Sequence, residues 1–362
     1  MSVTTESEGW LIVDAHLDVA YNAVVLERDL TLPIADLRAH ETKVPPIDSQ
    51  AKGPMVSWPA LKQGRVALIG GSLFVEPARK FSQQVTPCYR TPEEAQAQAI
   101  QQLDYYRRMD DEREDITLVT TRGELDAVWA SWESENPVTG VFVVMEGADP
   151  ILTPDHLGWW VEHGLRGIGL AWSAGTRYAG GNANPGSLTE EGDALLRAMA
   201  EYNLLLDISH LWDDAAARAL DRYPGPIVAT HANPRALVDT PRMLSDDMIR
   251  RVGEREGVVG VVAFNRMLDP NWRLGQPRLP LARLVEAIDH ICQMTGNSST
   301  VGIGSDLDGG FGQSSVPDEL DSIADLSAIG HLLLARGYAK GEVEAVLHGN
   351  WLRVMRASLE AF

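Results

Sequence analysis

Short apolar runs alternate with amphipathic stretches along nearly the whole chain. The runs are "WLIVDAHL" (10–17), "RVALIGGSLFV" (65–75), "DITLVTT" (115–121), "TGVFVVMEG" (139–147), "LRGIGLAW" (165–172), "LLLDISH" (204–210), "GPIVATHA" (225–232), "GVVGVVAFN" (257–265) and "STVGIGSDL" (299–307). Between them lie segments with helical spacing, such as 91–110, 189–203 and 281–294. Thr91-Pro92-Glu93-Glu94 and Ser245-Asp246-Asp247 have the form of helix starts, a capping hydroxyl followed by acids in the first turn. Repeated strand–helix units predict a parallel α/β fold. Eight strands close a (β/α)₈ barrel, and "DITLVTT" is the surplus ninth, expected outside it. An open doubly wound sheet is the alternative, but its glycine-rich dinucleotide fingerprint is missing after the first strand.

No linker rich in Pro, Gly or Ser divides the chain, so one barrel domain over 1–362 is expected. Two stretches interrupt the alternation. Residues 33–59 hold five prolines and are expected to form a long loop over one face. Residues 175–187, "GTRYAGGNANPGS", are rich in Gly and Asn and are expected to form a mobile loop beside the site.

Most runs end in polar groups. The first ends in His16 and Asp18, the fourth in Glu146, and later ones in His210, His231 and Asp306. In a barrel, the C-terminal ends of the strands meet on one rim, and that rim carries the chemistry. Three imidazoles and three carboxylates gathered there form a ligand set suited to Zn²⁺, Mn²⁺ or a similar ion. They exceed the three protein ligands of one catalytic zinc, which points to two metals. A carboxylate can bridge such a pair, and two metals about 3.5 Å apart can share and acidify a water. The five lysines, Lys43, Lys52, Lys62, Lys80 and Lys340, all lie off the central strands, which leaves Glu146 as the available bridge. Asp14 shares the parity of His16 and is expected to orient it by a hydrogen bond; Asp207 has a similar place, and Asp308 is expected at a turn behind the ligands. Each His or acid taken singly also fits an ordinary hydrogen-bonded strand end; the coincidence of six favours a site.

Composition narrows the partners. The 362 residues carry a net charge of −20, which disfavours nucleic acids and anionic membranes. Cys88 and Cys292 form no CxxC pair and are expected as reduced thiols. The N-terminal residues lack a basic and apolar leader, and no run approaches the length of a membrane span, so a cytoplasmic protein is expected. There is no GxSxG elbow and no phosphate loop, and "HETKV" (40–44) lacks the second histidine of a zinc helix.

"DAHLD", "MEGAD", "DISHLW", "THANPRAL", "PRML" and "GIGSDLDGG", in that order, resemble the membrane (renal) dipeptidase family, peptidase family M19. The resemblance implies a binuclear zinc site on a (β/α)₈ barrel. His16 and Asp18 would hold one zinc, His210 and His231 the other, and Glu146 would bridge. It implies dipeptide hydrolysis by a hydroxide shared between the metals, sometimes with a D-residue on the C-terminal side, and often a homodimer. Asp306 matches the family's acid/base aspartate, and Arg242 its arginine for the substrate carboxylate. One position departs: Trp172 stands where classical members carry a histidine that stabilises the carbonyl oxygen. Indole still offers one N–H donor. Two other readings stay open, a metallohydrolase of another amide such as an N-acyl amino acid, and a metal-binding barrel without catalysis.

Overall fold

The computed structural model describes residues 9–41, 51–78 and 87–359. Its strands are β1 (Ile12–Leu17), β2 (Val66–Phe74), β3 (Ile116–Leu118), β4 (Thr139–Glu146), β5 (Leu165–Gly169), β6 (Ala179–Gly181), β7 (Asn184–Leu188), β8 (Leu205–Asp207), β9 (Ile227–Val228), β10 (Val259–Val261) and β11 (Val301–Ile303). Eight of them form a parallel sheet in the order β10-β11-β1-β2-β4-β5-β8-β9. A parallel bridge from Ala229 to Val259 joins its two ends, and the sheet becomes a (β/α)₈ barrel. β3 pairs only with β4, off this path, which is the place expected for "DITLVTT".

The strands close because they are apolar on both sides. Every residue of β2 and of β4 is buried, one face toward the barrel interior and the other toward the surrounding helices. The helix Pro92–Glu112 starts where its sequence predicts, with the Thr91 hydroxyl accepting from the Glu94 N–H. It buries Ala95, Ala99, Gln102, Leu103 and Tyr106, a stripe at helical spacing. Gln102 uses that burial to accept from the Phe74 N–H, at 2.9 Å, where β2 ends. The Ser245 hydroxyl likewise accepts from the Met248 N–H at the start of Asp246–Glu254.

Register places the strand ends side by side. Phe74 pairs with Glu146, Glu146 with Gly169, Gly169 with Asp207, and Asp207 with Val228. That row runs across five of the eight barrel strands, so residues distant in sequence become neighbours.

Both interruptions differ from expectation. Within 33–59, Ile34–Glu41 is helical and a second helix begins at Trp58, capped by Ser57; residues 42–50 lie outside the described residues. Within 175–187, the chain forms the antiparallel hairpin β6–β7 rather than a loop. Its glycines permit this: Gly180 and Gly186 pack so closely that a Cβ on Gly180 would lie 2.4 Å from the backbone of Gly186. The hairpin is tied down by a Gly181–Leu211 bridge to the segment after β8. Among the described residues, no helix is long and apolar enough to cross a membrane.

Candidate metal centre

His16, Asp18, Glu146, His210, His231 and Asp306 meet on the C-terminal rim, and all are buried. Their donor atoms fall into three overlapping groups, each within 4.8 Å: His16 with Asp18 and Glu146, Glu146 with His210 and His231, and His16 with His231 and Asp306. Glu146 is shared by geometry. Its Oε1 lies 3.0 Å from His210 Nε2 and 3.3 Å from His231 Nε2, whereas Oε2 lies 3.5 Å from His16 Nε2. Asp18 Oδ1 approaches the same His16 nitrogen at 3.7 Å.

Short backbone devices hold these groups. Asp18 precedes the helix Val19–Val24 and accepts from the Ser72 hydroxyl of β2. Asn22 donates from that helix to the carbonyls of Asp18 and Asp308. His210, Asp306 and Asp308 all have left-handed backbones, with φ of 64°, 58° and 66°. Such conformations are uncommon outside glycine and cluster where a side chain must be aimed.

The ring nitrogens reveal what the site accommodates. His231 Nδ1 lies 2.9 Å from the Thr230 hydroxyl, which spends its own proton on Asp207. That oxygen can only accept, so Nδ1 carries the proton. His210 Nδ1 faces the Asn182 carbonyl oxygen at 3.0 Å and is fixed the same way. Both Nε2 atoms are then bare, and they lie 2.9 Å apart. Burial, with His16 and Arg242 nearby, holds His231 neutral by pushing its pKa well below the usual value. Burial and Arg242 push His210 down to about 4. Two bare lone pairs facing each other beside a carboxylate repel, and a cation between them removes the repulsion. The residues therefore fit divalent metal ions.

The acids tell the same story. Burial, reinforced by Asp18 and Glu146, raises the Asp306 pKa well above the usual carboxylate range. Burial and Glu146 raise Asp18 to about 6. Burial would also raise Glu146, but the charge on His16 beside it holds it well below its usual value. For His16, burial opposes charge, yet Glu146, Asp18 and Asp306 lift its pKa to about 10. Carboxylates this close need positive charge, and without a metal a proton on His16 supplies part of it.

Arg242 donates from Nη2 to the His231 carbonyl at 2.9 Å, and its Nη1 is buried without a hydrogen-bond partner. Trp172 follows β5, with its ring centroid 5.1 Å from Phe74 and 6.2 Å from His210. Phe74 in turn packs against Tyr21 at 5.2 Å, which makes one wall of the rim aromatic.

The expectation for Asp14 needs correction. Its carboxylate accepts from the His16 backbone N–H and from the N–H and hydroxyl of Ser305, and does not reach the ring. The His16 ring is turned to Thr230, at 3.1 Å. Asp207 touches no imidazole and reaches His16 and His231 only through Thr230. Asp308 accepts from the N–H groups of Met55 and Val56, so it pins the segment 51–57 behind the site. Thr230 and Asn182 were not legible as site residues. Thr230 had only its adjacency to His231 as a signal, and Asn182 had none.

The comparisons agree with this geometry. The profile of the membrane dipeptidase family (peptidase family M19) matches residues 7–361. A Schizosaccharomyces pombe protein described as an uncharacterized dipeptidase is 28% identical over 82% of this chain and 72% of its own. Dipeptidase 3 of Rattus norvegicus is 24% identical over 75% of this chain and 54% of its own. Among solved structures, dipeptidase AC, a metallopeptidase of family M19, superposes with a TM-score of 0.79 at 23% identity, covering 97% of this chain and 99% of that one. A metallopeptidase from Rhodobacter sphaeroides, bound to a phosphinate mimic of the dipeptide L-Ala-D-Ala, gives 0.78 at 22% identity over 97% and 100%. The fold, the gathered imidazoles and carboxylates, and the profile over nearly the whole length converge: the chain belongs to the membrane dipeptidase family, peptidase family M19, and with it to the metallo-dipeptidases.

Proposed function

We propose that the protein hydrolyses dipeptides at a centre of two zinc ions. His16 and Asp18 would hold one, His210 and His231 the other, and Glu146 both. The observation that carries this reading is the division of Glu146, whose two oxygens face different imidazoles. Bound divalent cations supply Lewis acidity, lowering the pKa of water and polarising an amide carbonyl.

The remaining roles belong to the chain. Asp306, buried beside His16 and His231, takes the proton of the attacking water and passes it to the leaving amine. The partnerless Nη1 of Arg242 binds the free carboxylate of the substrate, and this restricts length. Trp172 sets its indole N–H against the carbonyl oxygen as charge develops there, a weaker donor than the family's histidine. Arg242→Lys keeps the charge but loses the fork. We expect its KM for dipeptides to rise about tenfold or more, with kcat changed less, in steady-state kinetics.

The liganded Rhodobacter sphaeroides relative directs attention to substrates ending in a D-residue. Trp172 favours a second reading, an N-acyl amino acid, which offers Arg242 the same carboxylate. A panel of L-L dipeptides, L-D dipeptides and N-acyl amino acids, assayed with zinc-reconstituted protein, separates them. The proposal expects the highest kcat/KM on a dipeptide. Faster turnover of an N-acyl amino acid than of every dipeptide would replace it.

A further inference from the structure

One hydroxyl touches both halves of the centre. Thr230 Oγ1 lies 3.1 Å from His16 Nδ1 and 2.9 Å from His231 Nδ1. The two rings stack above it, with centroids 3.6 Å apart. The hydroxyl proton goes to Asp207 Oδ2, while Oδ1 of the same carboxylate accepts from the Thr230 N–H at 2.9 Å and the Ser209 N–H at 2.8 Å. Asp207 is thereby locked, and it locks the direction of the Thr230 hydroxyl. Both lone pairs of Oγ1 then face imidazole N–H groups, which fills the valence of that oxygen.

The barrel makes room for this residue. A Cβ on Gly260 would lie 2.0 Å from the Thr230 carbonyl oxygen, and one on Gly304 would lie 1.8 Å from it. These two glycines, on β10 and just after β11, let the Thr230 backbone sit deep between strands, under both rings.

We propose that Thr230, fixed by Asp207, is a shared positioning residue that keeps the proton of both His16 and His231 on Nδ1 and so frees one Nε2 for each metal ion. The inference rests on the two-ion reading above. His210 is served separately: its Nδ1 faces Asn182 of the β6–β7 hairpin and Ser173. The centre thus has one orienting group common to both ions and another confined to the ion held by His210. Removing a group that orients a metal-bound imidazole typically weakens metal binding about 10–100-fold.

The test is zinc binding to metal-free protein, measured by competition with a chromophoric chelator, for wild type, Thr230→Val, Thr230→Ser and Asn182→Ala. Valine keeps the shape of threonine without the hydroxyl, and serine keeps the hydroxyl without the methyl. The proposal expects Thr230→Val to weaken both ions about 10–100-fold, Thr230→Ser to bind within about threefold of wild type, and Asn182→Ala to weaken one ion only. Serine as weak as valine, or valine as tight as wild type, overturns it. A wild type that binds a single zinc overturns the two-ion reading and with it the sharing. Should Thr230→Val fail to fold, ¹⁵N-histidine spectra of zinc-loaded wild type decide the matter. Nδ1 protons on both His16 and His231, in wild type and in Thr230→Ser alike, support the proposal. A proton on Nε2 of either ring overturns it.

Discussion

Asp306→Asn lowers kcat by about 10²–10⁴-fold, while the protein keeps two zinc ions and nearly its wild-type KM. The expectation follows from where Asp306 stands. It stands just beyond β11 in a left-handed conformation, buried against His16 and His231, with a carboxyl whose pKa burial and neighbouring acids raise well above the usual range. A carboxyl whose proton is held more tightly than usual suits a step that takes one from water and passes it to an amine. Asparagine has the same shape but exchanges no proton, and it preserves the carbonyl oxygen beside the cluster. Steady-state kinetics and metal analysis on the same sample check the result. Zinc lost in proportion to activity would make Asp306 a ligand instead. Turnover retained in full would remove it from the reaction.

Glu146→Gln abolishes measurable turnover for a different reason, through loss of the ions. Glu146 Oε2 faces His16 while Oε1 faces His210 and His231, so on the proposed reading one residue would serve both ions. The amide replaces one oxygen with an NH₂ that donates rather than accepts, and removes the charge that offsets the cations. Zinc affinity should fall by more than the 10–100-fold typical of an orienting neighbour, at both ions rather than one. Chelator competition measures this. A Glu146→Gln protein that still binds two ions tightly would show that Glu146 is not the shared ligand.

The sequence was most legible where the fold imposes a period. All nine apolar runs became strands, the eight of the barrel because burial on both faces leaves no other use for a short stretch rich in Val, Ile and Leu. The short "DITLVTT" was separable because eight strands suffice to close the barrel. The clustering of the polar side chains was legible for the same reason: His16, Glu146 and His231 stand at the ends of runs that otherwise need only bulk. Where the pattern gave no period, the reading failed. "GTRYAGGNANPGS" lacks apolar alternation, yet forms a hairpin, because close glycine packing and backbone bonds hold it. Asp14 shares parity with His16, but parity fixes only the face of a side chain, and Ser305 and the His16 backbone claim its oxygens. The tie from Thr230 to His16 spans 214 positions and depends on how the barrel closes, which no local pattern encodes.

The central claim is best tested by titrating zinc into metal-free protein while following hydrolysis of a dipeptide. Glu146 lies between His16 on one side and His210 and His231 on the other, and on the two-ion reading turnover should rise to a plateau at two zinc ions per chain and disappear on chelation. Full turnover at one ion per chain, or two ions bound with no turnover of any dipeptide, would contradict it.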